Sequence, residues 1–329
     1  MKRSKTKKVK NTTLLIYNPN AGKKRKVVNI TASSSLDSIK SLLEQYQIPV
    51  DAQPTKGLGD ATTLAKDSIK KGYTTVIVAG GDGTVGEAIN GLIGSDTTLG
   101  IIPLGSVMNI ARMLSIPFDI EKAIQIIKIN RTRKIDMGVV TKLDGEKLAK
   151  QFYFMESAGV GMDAYIFSHF RDIEKGDILS LFPLLVKLFR FSPQEFTITT
   201  DQEEVVVKAQ FITVANGPYS GTMLKTAPNA KLNDRRLTVV VYYMPKLYLL
   251  RYFLTYLLTH KTDLRKVKTL QAKTVKITSK NEILVHADGS KYGTTPVSFK
   301  IYPAGLSIIC GFPPVPKDTS LAPKAPLDQ

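Results

Sequence analysis

The segment Val76-Ile77-Val78-Ala79-Gly80-Gly81-Asp82-Gly83-Thr84-Val85-Gly86-Glu87 runs from an apolar, β-branched stretch through glycines into a helical pattern. A buried strand that empties through glycines into a helix start is an anion site by construction. Glycine lets the backbone approach a ligand closely, and the free N–H groups and dipole of the first helical turn favour phosphate. The chain around this turn repeats one grammar. Leu14 to Asn18 predicts a strand, and Ser35 to Tyr46 a helix with Ile39, Leu42, Leu43 and Tyr46 on one face. A strand near Val50 to Pro54, a helix from Asp60 to Lys71, the strand Thr75 to Ala79 and a helix from Thr84 to Ile93 follow. Leu99 to Pro103 then reads as a strand, and Val107 to Leu114 and Ile120 to Ile129 as helices. Strands alternating with helices imply βαβ units and a doubly wound parallel sheet.

After Arg133 the pattern becomes β-rich. Lys134 to Leu143 and Leu148 to Glu156 flank Asp144-Gly145, a hairpin-turn dipeptide. Further strands are predicted at Phe196 to Thr200, Val205 to Ala215, Leu237 to Tyr243, Thr274 to Thr278, Ile283 to Ala287, Val297 to Tyr302 and Leu306 to Cys310. Helical insertions are predicted at Ile178 to Phe191 and Lys246 to His260. The fold class is therefore α/β plus all-β. The division reads as a basic disordered leader over 1–10, an α/β nucleotide-binding domain over 11–133, a β-sandwich-like domain over 134–312 and a disordered tail over 313–329. A return of the last strands to the first domain is left open.

With 329 residues, 43% of them hydrophobic and 22% charged, the chain can bury cores for about two domains. One cysteine, Cys310, excludes an intramolecular disulfide framework and a cysteine zinc cluster. Three dispersed histidines, His169, His260 and His286, lack the H-E-x-x-H spacing. The apolar run Leu14 to Tyr17 is too short for a signal-peptide core. The longest apolar stretches are broken by Lys187, Arg190 and Arg251 and fall short of the ~20 residues that span a bilayer.

The net charge of +18 favours anionic partners. Much of it is local, in Lys2, Arg3, Lys5, Lys7, Lys8 and Lys10 and in Lys23, Lys24, Arg25 and Lys26. These runs read either as solvated charge or as attachment to an anionic membrane surface, where each basic residue contributes roughly 1 kcal/mol. Apolar segments flanked by Lys246, Arg251, Lys261 and Arg265 suit either a buried core helix or an interfacial one. No basic–aromatic interleaving of the RNA-binding kind is present, so no nucleic-acid partner is expected.

Gly81, Gly83 and Gly86 satisfy G-x-G-x-x-G, yet the next strand, Gly100 to Gly105, ends without the acidic residue that a dinucleotide fold places on the ribose. A Walker A loop is absent. The fuller pattern is more specific. Asn18-Pro19-Asn20-Ala21-Gly22, Gly80-Gly81-Asp82-Gly83-Thr84 with Glu87, Asn90 and Gly91, Pro103-Leu104-Gly105-Ser106 with Asn109 to Arg112, and Asp136-Met137-Gly138 stand in order. So do the run Glu156 to Ala164, Ala215 to Tyr219 with Gly221, Ala227-Pro228, and Asp288-Gly289. In these the chain resembles the diacylglycerol kinase and sphingosine kinase superfamily of lipid kinases, particularly its bacterial members, with more distant similarity to NAD kinases and phosphofructokinases. The likeness runs from about Leu14 to about Gly311.

The resemblance implies an α/β nucleotide domain joined to a β-sandwich with the active site between them. It also implies an ATP- and Mg²⁺-dependent transfer of the γ-phosphate to a hydroxyl of diacylglycerol or a sphingoid-like lipid. Asp288 falls on the general base of the family's D-G-E motif. Asn18, Thr55, Gly80, Gly81, Asp82, Gly83, Thr84, Glu87, Gly105 and Ser106 fall on nucleotide positions, and Asp82 and Asp234 on metal positions. Asp82 also points to a cation directly, because an acid beside phosphates is repelled unless one is present. Each residue has a plainer role open to it: Thr84 as an N-cap, Asp82 as a cap of its own loop, Asp288-Gly289 as a hairpin turn. Ser290 departs from the glutamate of D-G-E, Met108 from an asparagine and Arg235 from a glycine. A non-catalytic binding protein and a kinase for a soluble substrate therefore stay open as alternatives. The expected setting is cytoplasmic, peripheral to the inner face of the membrane, with a homodimer left open.

Overall fold

The computed structural model describes residues 12–21, 36–143, 151–162, 192–221, 224–245 and 267–312, together with Leu247, Tyr248, Arg251, Thr255 and Thr259. The predicted leader, the tail, the Asp144-Gly145 turn and the helical insertion at Ile178 to Phe191 lie outside the described residues. Of the segment Lys246 to His260, the five described residues are helical.

The first half is built on β1 (Thr13–Tyr17), β2 (Asp51–Pro54), β3 (Thr75–Gly80) and β4 (Thr98–Pro103), parallel and in the order β2-β1-β3-β4. Both faces of this sheet are covered, which is why β3 and β4 read as continuous apolar runs. Leu15, Ile77 and Ile102 face α1 (Leu36–Gln45) and α5 (Ile120–Ile129) through Ile39, Leu43, Ile124 and Ile127. Leu14, Ile16, Val76, Val78 and Ile101 face the other way. There they join Ala61 and Ala65 of α2 (Asp60–Lys70), Val85 and Ile89 of α3 (Asp82–Leu92) and Ile110 of α4 (Asn109–Met113). Residues one apart in a strand thus serve two cores, as the pleat requires.

The second half forms two sheets that enclose a third core containing Phe154, Phe196, Ile212, Val239 and Phe299. One is antiparallel, in the order β12 (Val267–Ala272), β11 (Leu237–Tyr242), β10 (Phe211–Ala215), β7 (Ser157–Gly161), β14 (Leu284–Ala287) and β15 (Ser290–Thr294). The other continues the parallel sheet through a single strand, β16 (Val297–Ile309). Ser307 and Ile308 pair in parallel with Thr98 and Leu99 of β4, and β16 pairs antiparallel with β5 (Thr132–Lys142) from Val297↔Lys142 to Ile309↔Thr132. Beyond it lie β13 (Thr274–Ser279), β8 (Gln194–Thr200) and β9 (Glu204–Ala209), while β6 (Phe152–Phe154) pairs with β5. The expected class, a doubly wound nucleotide fold with a β-sandwich, is the one observed.

Several boundaries differ from the sequence reading. The strand predicted over Val205 to Ala215 is two strands, β9 and β10, in different sheets. The chain changes sheet at buried Gln210, whose N–H donates to Tyr242 O at 2.9 Å and whose amide pairs with both backbone groups of Met244. The two strands predicted at Val297 to Tyr302 and Leu306 to Cys310 are one strand with a bulge, where Ala304 takes φ 51°. Helix α3 starts at Asp82 behind Gly81, so Thr84 is not its N-cap. Helix α4 is shorter than predicted because Met108, at φ 51°, stands as its left-handed N-cap.

Two glycines of α3 make opposite demands on it. A Cβ at Gly91 would lie 2.6 Å from Ala65 Cβ and from Thr62 O, so this glycine sets how closely α3 packs on α2. A Cβ at Gly86 meets nothing within 4 Å. Gly91→Ala is expected to lower unfolding stability in urea by about 1–3 kcal/mol through overpacking. Gly86→Ala in the same helix is expected to leave it unchanged or raise it by about 0.5–1 kcal/mol. Equal effects of the two would contradict the close α2–α3 contact.

Candidate active site

In the order β2-β1-β3-β4 the chain reverses direction across the sheet between β1 and β3, and the crevice beyond the carboxyl ends of these strands is where such folds bind ligands. Asn18 follows β1. Its N–H donates to Ala79 O at 3.0 Å, and its Nδ2 lies 3.3 Å from Thr84 Oγ1, tying the first turn to α3. Thr55 follows β2 and donates its N–H to Tyr17 O at 2.9 Å. Gly80 ends β3, where a Cβ would stand 2.8 Å from Thr84 Cβ. A Cβ on Gly105 would stand 2.8 Å from Gly81 Cα and 2.7 Å from Met108 Sδ, so the two loops above β3 and β4 touch backbone to backbone. Ser106 is exposed beside them. Gly81 offers no side-chain cap to α3, and the first N–H groups of a helix have no partner within it.

Asp82 turns away from its own loop and caps a different helix. Its carboxylate accepts N–H groups from Asn109 at 3.2 Å and Ile110 at 3.1 Å, the first residues of α4. Burial raises its pKa, opposed by these N–H groups. Asn109 in turn donates its amide to Glu156 Oε2 at 2.7 Å and to Gly221 O. Glu156 is buried, and burial pushes its carboxyl well above the usual range, with the charges of Asp82 and Asp288 adding to the shift.

Asp288 sits at φ 44° and Gly289 at φ 73°, forming the tight turn between β14 and β15. The turn expected at Asp288-Gly289 is present, and its left-handed backbone brings the Asp288 carboxylate to the backbone of Met155 to Ser157. Met155 N–H donates to Oδ2 at 2.7 Å, and Glu156 and Ser157 N–H donate to Oδ1 at 2.9 and 3.1 Å. Burial nonetheless raises this carboxyl from its ordinary 3.8 to about 6. The three bonds favour the anion and desolvation opposes it, and desolvation is the larger effect.

Asp82, Gly83, Glu87 and Asp288 line one cleft of about 770 Å³ between the halves, with Leu58 and Asn90 on one wall and Lys142, Phe152, Ser290, Lys291 and Tyr292 on the other. Glu87 Oε2 also accepts the N–H of Ala61 at 3.3 Å, near the start of α2. Asn90 exchanges bonds with both backbone groups of Tyr153, at 2.9 and 2.8 Å, and so holds α3 against β6. Asn18, Thr55, Gly80, Gly81, Thr84, Gly105 and Ser106 lie on or beside the strand ends and are not among the lining residues of this cleft. Asp234 is elsewhere, in the turn before β11, where it accepts Arg236 N–H at 3.1 Å. Asp136 organises that turn, accepting the N–H groups of Arg235 and Ala304, both at 2.8 Å. Among the described residues no three acid, histidine or cysteine side chains are arranged to hold a metal ion.

Sequence reasoning misses Glu156 and Asn109 as site residues, and Lys142 and Tyr292 with them. The only signal for the first two is their place inside the motifs quoted above. Two of the three departures acquire a physical account. Met108 and Arg235 both have left-handed φ, at 51° and 58°, a conformation that asparagine and glycine adopt most easily. Ser290, the third, is an exposed residue of the cleft rim.

Residues 12–140 match the diacylglycerol kinase catalytic domain, and residues 157–310 match the YegS C-terminal NAD kinase beta sandwich-like domain. A diacylglycerol kinase of Staphylococcus saprophyticus is 29% identical over 292 residues, covering 87% of this chain and 90% of that protein. The fold is similar to that of a putative diacylglycerol kinase from Bacillus anthracis, with TM-score 0.71, 24% identity and coverage of 93% of this chain and 99% of that one. It is similar at greater distance to yeast NADH kinase, with TM-score 0.54, 11% identity and coverage of 91% and 83%. With both halves matched in order and the cleft formed between them, the chain belongs to the bacterial diacylglycerol-kinase-like family of lipid kinases.

Proposed function

We propose that this kinase transfers the γ-phosphate of ATP to the hydroxyl of diacylglycerol or a sphingoid-like lipid, with Asp288 as general base. The observation that carries the reading is the Asp288 carboxylate, fixed by three backbone N–H groups and facing a cleft shared with Asp82 and Gly83. The N–H groups at Gly80, Gly81 and Gly83 and the side chains of Asn18, Thr55 and Thr84 hold the nucleotide, with Glu87, Gly105 and Ser106 shaping its surroundings. The acceptor hydroxyl gives its proton to Asp288 as its oxygen bonds to the γ-phosphorus and the bond to ADP breaks. Positioning does most of the work in such a transfer.

The carboxylates of Asp82 and Asp288, both at the cleft, support a bound Mg²⁺. Asp82 would hold it together with the nucleotide phosphates, in the manner of an ion that keeps several waters and takes few protein ligands. A bound Mg²⁺ supplies charge neutralisation at the phosphates. Asp234 is a second, separate candidate for holding a cation outside the cleft. The +18 charge supports peripheral attachment to an anionic membrane, where the lipid substrate resides. Among the described residues no helix is long and apolar enough to cross a membrane.

Mixed micelles containing lipid acceptors, Mg²⁺ and labelled ATP test the reading. Asp288→Asn is expected to reduce transfer by about 10²–10⁴-fold, the range of a lost general base, while ATP binding is kept. Undiminished transfer by this variant would reject Asp288 as the base.

The pH dependence follows from the raised carboxyl. The base must be ionised, so kcat/KM is expected to rise with pH through about 6 and level off above it. Stability moves the other way. Between the ordinary value of 3.8 and about 6 the folded state holds a proton that the unfolded state has lost. Asp288 therefore makes stability fall as pH rises through this window. Between pH 4 and pH 7 the change in urea-unfolding stability is expected to be more negative in the wild type than in Asp288→Asn, the difference being the share of Asp288.

A further inference from the structure

A second cavity of about 470 Å³ lies at the other end of α4 from the cleft. Asp82 caps the first N–H groups of this five-residue helix, whereas Met113 at its end and Leu114 and Ser115 just beyond it line the cavity. Every charged residue of the lining is a cation: Arg133 and Lys134 from β5, and Lys231 from the turn before β11. Ser115 and Asn233 add polar groups. Among the described residues none of the three cations pairs with a carboxylate. Like charges gathered around one hollow raise the local concentration of anions.

The walls are tied before any ligand arrives. Gly311 N–H donates to Leu114 O at 2.9 Å, Asp136 N–H to Leu232 O at 2.7 Å and Cys310 N–H to Arg131 O at 2.9 Å. A Cβ on Gly311 would stand 1.8 Å from Ser115 O, so the corner after α4 is seated tightly on the residues that follow β16. The backbone of the site is thus fixed, whereas the side chains of Arg133 and Lys231 are exposed and order on binding. Arginine offers a planar fork suited to phosphate, and lysine a point charge beside it. The volume lies within the ~300–1,000 Å³ range of small-molecule sites. It exceeds what a bare phosphate fills, and Leu114 and Ile135 supply apolar surface for the remainder.

We infer that this cavity is a second ligand site for a phosphate-bearing organic molecule, with the phosphate held by Arg133, which shares the Ile308 and Ile135 face of β5, and by Lys231. The inference does not depend on the lipid-kinase chemistry of the cleft. The phosphate belongs either to a soluble ester or to a lipid headgroup, and the test separates the two.

Glycerol 3-phosphate is titrated calorimetrically into the full chain, and flotation is measured with phosphatidylcholine vesicles with and without phosphatidic acid. The variants are R133Q/K231Q and, as a control with the same net charge, K208Q/K276Q, which removes two exposed lysines of other strands. Binding of glycerol 3-phosphate that weakens about tenfold or more in R133Q/K231Q but not in the control establishes the site with a soluble ligand. The same contrast seen only with phosphatidic acid vesicles establishes it with a lipid headgroup. The single change R133Q is expected to give a smaller loss, and guards against misfolding of the double variant. Absence of binding to both probes, or equal loss in both double variants, overturns the inference.

Discussion

The candidate active site depends on one strand. At its carboxyl end β16 pairs in parallel with β4, and along its whole length it pairs antiparallel with β5. Backbone hydrogen bonds are directional and close-spaced, so a shared strand fixes two domains more tightly than a packed linker does. The loop of Gly80 to Thr84 and the turn of Asp288 come from opposite halves. Their common cleft exists because β16 makes the sheet continuous. Asn90, gripping Tyr153 from α3, adds a second tie beside the cleft itself.

Within that frame the chemistry is arranged as a chain of contacts. Asp82 holds the start of α4, Asn109 on α4 holds Glu156, and the N–H of Glu156 holds Asp288. Three acids thereby share one poorly solvated region, and each raises the cost of charging its neighbours. The backbone donors on Asp82 and Asp288 lower that cost only in part. An arrangement of this kind is less stable than an apolar one of the same volume, and function is the usual reason for keeping it.

What can be read from the sequence follows from where the interactions lie. The β1-to-α5 half is legible almost throughout, because two-sided burial of a parallel sheet writes itself as apolar runs and amphipathic helices at local spacing. The second half is legible as strands but not as sheets. Val205 to Ala215 is an unbroken β pattern, and nothing local in it marks Gln210 as the point of change, since the partner is Met244, far along the chain. The site divides in the same way. Gly80 to Thr84 and Asp288 carry recognisable motifs, whereas Glu156 acquires its part only by meeting Asn109 and the turn of Asp288 in space. Asp82 reads locally as a cap of its own loop because its true partners begin at residue 109.

Left-handed backbone links these two kinds of legibility. Met108, Arg235 and Asp288 all have positive φ, and each lies at a place where the chain must turn sharply to present backbone groups. At Met108 the turn delivers the N–H groups of α4 to Asp82. At Arg235 it delivers an N–H to Asp136, the acid that holds the turn before β11 against β5. At Asp288 it sends the carboxylate to three donors. The strain of a non-glycine residue in this region, about 1–2 kcal/mol, is borne where surrounding hydrogen bonds outweigh it. Methionine and arginine at the first two positions thus change the ease of the turn rather than its direction. The backbone donors that organise both acids belong to the fold and not to those side chains, which is why the site keeps its geometry despite the departures.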